Sequence, residues 1–461
     1  MATTITPPTT VRNWIPSVNP IIYTFATDNI NPKLSYIINV NINGTQVAQL
    51  KYAVYDRNNM SIDFNRIVND YISSDFTNDQ TNPYIVQNET VAINLKVDEE
   101  YWDGSSWRTV AGGSIANVFV WYAVADFQNS RRLWEYYRNN DLTGINYFQY
   151  GRFLGVKNYV PDVCRNTVAD TPYANGKPEL FKDLYKIGLM TRRTMSFFTT
   201  STWSNANKHT ALLQCWCYNE KMQLTKRFGK KISFGNLTDS NYDKKVACVP
   251  VGVSELNTMT WDQTLLEAGS NTFIDETEDK YYFITLCEKN ANGDIIPPYA
   301  TATPRGYKWV GFEIVTCSQY KPYNILYRTT EGGWWQIRAD RKHFNETKVE
   351  TSIKFNPWQY GAQVELPSDA TFKRVMHTTA DGTITLNTDW IENQGSIREI
   401  EDMIISPQIY LVEDRIDGIK NPVYIPVVLK DTTHQIWNKN QDRLIQYEFE
   451  LEEAYNKPTL R

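Results

Sequence analysis

Two alternating runs joined by Asn43-Gly44 constrain this chain more than any other feature. Residues 36–42 read Tyr-Ile-Ile-Asn-Val-Asn-Ile and residues 46–52 read Gln-Val-Ala-Gln-Leu-Lys-Tyr. An Asn-Gly pair supplies the two positive φ values of a type I′ turn, whose twist matches that of paired strands, so the stretch predicts an antiparallel hairpin. Strand-like alternation returns at 90–97 and 117–124. Between them and the hairpin, Asp63 can cap a short helix in which Phe64, Ile67, Val68, Tyr71 and Ile72 recur at helical spacing. Residues 21–130 are therefore expected to form a β-sandwich with an inserted helix.

The rest of the chain divides by the same signals. Residues 1–20, rich in Thr and Pro, read as an extended arm, and 131–195, interrupted by Gly, Pro and Asn, as an irregular connecting segment. A second β-sandwich is expected over 196–345, with strands at 211–218, 246–251, 281–287 and 307–315 and a ring-dense hairpin over 323–337. Residues 346–461 predict a C-terminal β module with one amphipathic helix near 396–405. Ile397, Ile400, Met403 and Ile404 share that helix's face, and Ser406-Pro407 ends it. Strands follow at 408–412, 423–429 and 443–451. No repeat of fixed period is visible, which disfavours a solenoid or propeller. The expected fold class is mainly β: several Ig-like or β-sandwich modules with short helices inserted.

Composition excludes some functions. The 461 residues carry 47 Lys and Arg against 52 Asp and Glu, a net charge of −5, so no basic coat recruits nucleic acid or anionic lipid. The longest apolar run, 118–125, is far short of the roughly 20 residues of a membrane span. No basic start or apolar leader opens the chain, so a product made and kept in a cytoplasm until it assembles or is released is expected. Aromatic residues make up 13% of the chain, more than three small sandwiches need in their cores. The surplus predicts Trp and Tyr side chains that are exposed on one subunit and covered in an assembly.

The search for chemistry yields no strong motif. The sequence lacks GxGxxG after a strand, GxxxxGK[ST], HExxH and GxSxG, and its six cysteines contain no CxxC pair. Cys215 and Cys217 flank Trp216 at strand spacing and read as buried hydrophobes on one face. The four histidines, His209, His343, His377 and His434, are isolated from one another. Acidic clusters at 98–100, 275–279 and 414–418 read as solvated loop charge rather than cation sites. Lys226-Arg-Phe-Gly-Lys-Lys231 reads as a basic hairpin tip. Trp334-Trp335 follows a Gly-Gly turn, and because neighbours on a strand face opposite ways, core plus interface is preferred to a sugar platform there. No catalytic residue, cofactor or metal ligand is assigned. The interface candidates are Trp334, Trp335, Tyr323, Trp390, Trp102 and Trp107.

Several stretches carry a resemblance: Asn19-Pro-Ile-Ile-Tyr-Thr-Phe25, the Asn43-Gly44 hairpin, the helix over 62–72, the ring-dense run from Tyr323 to Gln336, and the closing runs 386–391, 405–411 and 444–452. Together they resemble a family of virion structural proteins of tailed phages infecting Bacteroidota, crAss-like phages among them. The chain departs from the family's aromatic hairpin at Arg328-Thr-Thr330. The resemblance implies a portal-proximal or baseplate-like tail ring: a non-enzymatic, homo-oligomeric subunit in the virion tail. It would contact other tail or portal proteins and passing genomic DNA without sequence-specific binding, and no membrane. The alternative expectation is a carbohydrate-binding receptor or fibre module recognising host surface glycans. A glycan-cleaving enzyme would need two carboxylates about 5–10 Å apart in a cleft.

Overall fold

The computed structural model describes residues 3–8, 14–73, 84–86, 89–123, 153, 155–156, 181, 184–189, 191–198, 210–233, 246–258, 274–287, 309–316, 320–355, 373–388, 394–413, 423–430 and 446–454. The protein is mainly β, with short helices. Its chain divides into two units, one of residues 1–316 and 328–335, the other of 317–327 and 336–461.

The first unit opens with a sandwich. One sheet has the order β1 (Thr3–Thr6), β3 (Ile22–Thr27), β6 (Met60–Asp63). The other runs β2 (Trp14–Pro16), β10 (Val118–Trp121), β8 (Thr90–Trp102), β4 (Ser35–Ile42), β5 (Thr45–Ala53), with β9 (Trp107–Ser114) also paired to β8. The segment expected as an arm thus supplies two strands, β1 antiparallel to β3 and β2 parallel to β10. Period-2 alternation sends Tyr23, Phe25, Met60 and Ile62 of one sheet against Tyr36, Ile38, Val40, Val91, Ile93, Leu95 and Val97 of the other, in one buried cluster. Asn43 and Gly44 have φ of 51° and 83°, as the type I′ turn requires. Helix α1 (Asn65–Asn69) closes the cluster's end with Phe64 and Val68, and Asp63 Oδ1 accepts the amides of Ile21 and Asn65.

Two further sheets belong to the same unit. A five-stranded sheet has the order β11 (Tyr185–Gly188), β17 (Val310–Val315), β16 (Tyr281–Cys287), β13 (Thr210–Tyr218), β14 (Leu224–Ser233). A three-stranded sheet runs β12 (Thr194–Phe198), β15 (Val246–Pro250), β7 (Tyr84–Ile85), and α2 (Val253–Thr258) follows β15. The basic segment 226–231 is not a hairpin tip, since it lies within β14 and pairs with β13 along its length. The turn is 219–223, where the Asn219 side chain accepts the Gln223 amide and Met222 adopts φ 61°.

The second unit is built on a seven-stranded sheet, β19 (Trp334–Ala339), β18 (Tyr323–Arg328), β22 (Ile409–Glu413), β23 (Val423–Leu429), β24 (Glu448–Glu453), β21 (Lys373–Asn387), β20 (Phe344–Phe355). Helix α3 (Gln394–Ile404) precedes β22 and buries Ile400 and Met403. The ring-dense hairpin of β18 and β19 thus belongs to this sheet rather than closing the second sandwich, and its tip, 328–335, belongs to the first unit.

Candidate interaction surface

The sequence-derived interface residues fall into two environments. Trp334 and Trp335 are each 0% exposed and Tyr323 is buried, so none of the three offers surface to a partner. Adjacent residues on β19 point opposite ways, so burial of both indoles means that both faces of the strand are covered there. Trp335 packs edge-on against Tyr185, with the Arg193 guanidinium 4.2 Å from its ring centroid. Trp390 lies outside the described residues.

The tip that carries these indoles is locked by buried polar contacts within the first unit. Arg328 Nη2 donates to Glu89 Oε1 at 2.9 Å, and the Gly333 amide donates to the same oxygen at 2.7 Å. The Arg328 guanidinium sits 3.3 Å from the Tyr122 ring centroid. Glu331 accepts from Trp121 Nε1 through its carbonyl and from the Gly155 amide through its carboxylate. Gly332, at φ 88°, passes so close to the Tyr122 carbonyl that an added Cβ would lie 2.7 Å from it. Burial pushes the Glu89 carboxyl up, against the opposing pull of Arg328 and the Gly333 amide.

Other buried carboxylates of this unit hold structure in the same way. Glu99 accepts from the hydroxyls of Thr3 and Thr27 and from Asn29 Nδ2, tying β1 and the end of β3 to β8. Glu255 accepts the amides of Arg193 and Gly252. Asp279 pairs with buried Lys226 at 2.8 Å and accepts the Asp275 amide. The 275–279 cluster therefore folds on itself, with Asp275 capping Thr277 and Lys226 on Asp279. Among the described residues no group of three or more His, Cys, Asp or Glu is placed to hold a metal ion.

Trp102 and Trp107 occupy the other environment. They face each other across the end of the β8–β9 hairpin, with ring centroids 5.7 Å apart and edge-on. Trp107 is 50% exposed. Lys33 Nζ lies 5.5 Å from the Trp102 ring centroid and Lys51 Nζ 5.2 Å from that of Trp107, where the ring quadrupole attracts the charge. The connecting turn is rigid. Asp103 accepts the Ser105 and Ser106 amides and Arg108 Nε, and Gly104 takes φ 101°. Arg108, followed by those serine amides, holds the Asp103 carboxyl well below the usual carboxylate range. Ile30 and Tyr55, 80% and 75% exposed, flank the same end. Backbone bonds from Trp102 to Pro32 and from Val54 to Leu34 place them there, and Arg57 Nη2 donates to the Ile30 carbonyl.

The remaining sequence candidates are placed as follows. Cys215 and Cys217 are buried on one face of β13, their sulfurs 4.0 Å apart. His343 lies edge-on to Tyr323 at 4.8 Å. His209, His434 and the 414–418 cluster lie outside the described residues. No charge signal pointed to Arg328 and Glu89, because their 239-residue separation hides the pairing from any local reading. No protein-family model matches this chain, and no curated protein matches it either. Among the described residues no helix is long and apolar enough to cross a membrane.

Proposed function

We propose that the chain is a non-enzymatic structural subunit of a phage tail. In this reading it forms a homo-oligomeric ring in the virion and joins other tail or portal proteins around the channel that passes genomic DNA. The observation that carries it is the corner formed by Ile30 and Tyr55. These large side chains stand exposed on turns held in place by the bonds of Arg57 to the Ile30 carbonyl and of the Thr27 amide to the Arg57 carbonyl. Rigid aromatic anchors of this kind lose little conformational entropy on association and suit the centre of a protein interface.

Three further points support the reading. The buried carboxylates Glu89, Glu99, Glu255 and Asp279 are engaged by structural amides, hydroxyls and cations. The sequence resemblance to virion structural proteins points the same way, and a net charge of −5 suits a passage that must not grip DNA.

Light scattering after size exclusion, with negative-stain images of the purified protein, tests this reading. The expected result is a closed ring of uniform diameter. The double variant Ile30→Ser, Tyr55→Ser should shift the population to monomers without altering the far-ultraviolet circular dichroism. A wild-type chain that stays monomeric at about 100 μM, far above the Kd of a stable assembly, and is missing from purified particles refutes it.

A further inference from the structure

The outer face of the six-stranded sheet has a different chemistry from the corner at its end. Strand register places its outward residues in rows. Gln46, Asn41 and Asn94 form one row, and Gln49, Asn39 and Lys96 the next. Lys51, Ile37 and Asp98 follow, then Glu100 opposite Ser35 and Thr109, and finally Trp102 opposite Trp107. Inward residues on the same strands belong to the apolar core, so this alternation leaves the polar set on the other side.

The amides on this face are already oriented. Gln46 Nε2 and Gln49 Nε2 both donate to Asn39 Oδ1, at 3.2 and 2.9 Å, and Asn41 Nδ2 reaches Asn94 Oδ1 at 3.5 Å. Asn94 Nδ2 donates in turn to the Ile115 carbonyl. Each glutamine nitrogen is tied down while its carbonyl oxygen takes no intramolecular hydrogen bond among the described residues. Gln46, Gln49, Lys51 and Lys96 are exposed, and Lys51 pairs with Glu100 along the row beside the indoles. From Asn94 to Trp102 the face extends about 26 Å at ~3.3 Å per residue, room for an oligomeric ligand.

We propose that this face is a binding platform for a pyranose oligosaccharide, with Trp107 stacking on a sugar ring at one end and the exposed Gln46 and Gln49 amides, oriented by buried Asn39, bonding the hydroxyls of another sugar about 20 Å along the strands. A sugar presents apolar C–H faces and a rim of hydroxyls that both donate and accept, and a face with an exposed indole at one end and fixed amides at the other matches both along an oligomer. Prior fixing of the amides lowers the entropy lost on binding. Charge separates this ligand from two others. Lys33, Lys51 and Lys96 stand against Asp98 and Glu100, an excess of one positive charge, too small to gather phosphates. These same charges are of the kind depleted from the centre of a protein interface. The inference goes beyond the structural reading and does not depend on it.

The experiment is a microarray of bacterial and plant oligosaccharides, with hits titrated by saturation-transfer NMR on the full-length chain. Wild type should bind at least one oligosaccharide with a Kd of about 10 μM to 1 mM, near the weak end of the affinity scale. Trp107→Ala, at a half-exposed site, should weaken it at least about tenfold, and Gln46→Ala with Gln49→Ala about three- to tenfold. Circular dichroism of both variants should match wild type. Absence of any oligosaccharide bound above the Trp107→Ala background overturns the proposal, as does binding that neither variant changes. A wild type that assembles but binds no sugar defeats this inference alone, and one that binds sugar as a monomer defeats only the assembly reading.

Discussion

Replacing Arg328 by Met removes the cation from a fully enclosed pair while keeping an apolar stem of similar length. The two side chains are 1% and 0% exposed and their charged atoms are 2.9 Å apart. At that distance the Coulomb attraction is about 6 kcal/mol at an effective dielectric of about 20. Desolvation of both ions offsets most of it, so the pair itself adds little net stability. Removing one partner differs from removing both, because it strands the Glu89 charge with only the Gly333 amide for compensation, at about 3–5 kcal/mol. The loss should also depend on pH. Burial raises the folded-state pKa of Glu89 above the unfolded value, so the stranded carboxyl favours the fold when protonated. Its contribution is fully present below the unfolded pKa and is lost as pH rises through the folded one, at about 1.4 kcal/mol per pH unit. Thermal melts followed by tryptophan emission should therefore show Arg328→Met lowered by on the order of 5–10 °C at pH 7.5 and by much less near pH 5. The double variant Glu89→Gln, Arg328→Met should recover most of the loss at pH 7.5. A pH-independent deficit, or a double variant less stable than Arg328→Met, would refute this account of the tip.

Gly332→Ala forces a side chain into positive φ and toward the Tyr122 carbonyl, and should destabilise by about 1–3 kcal/mol in chemical denaturation. An unchanged midpoint would mean that the tip does not thread as described. Cys217, whose thiol burial pushes well up, should resist a thiol-specific disulfide reagent in the native protein together with Cys215. Mass spectrometry after labelling checks this, both sites reacting only after denaturant is added. Tyr36, pushed up to about 12 by burial, should stay un-ionised in ultraviolet titration until the fold itself opens in alkali.

How much of this was legible beforehand depends on the range of the interactions. The hairpin of β4 and β5 was readable because its turn chemistry and alternation are local, and φ at Asn43 and Gly44 follows from two residues. Helix α3 and the strands after it were readable for the same reason. The surplus of rings pointed to interfaces, but period alone does not say which indoles meet water. Trp334 and Trp335 lie in the core because the tip they flank packs against Tyr185, Arg193 and Ser196, far away along the chain. Trp107 stays exposed because its hairpin ends beyond the edge of the sandwich core. Likewise the basic run 226–231 has the composition of a solvated tip, and only its pairing with β13 and the Asp279 carboxylate under Lys226 make it a strand. By itself, then, the sequence determined a mainly β chain and the hairpin of β4 and β5, both set by neighbours a few residues apart. Only the tertiary structure decided which rings are buried, that Glu89 meets Arg328, and that amides and indoles share one sheet face, because strand register joins residues that no local pattern connects.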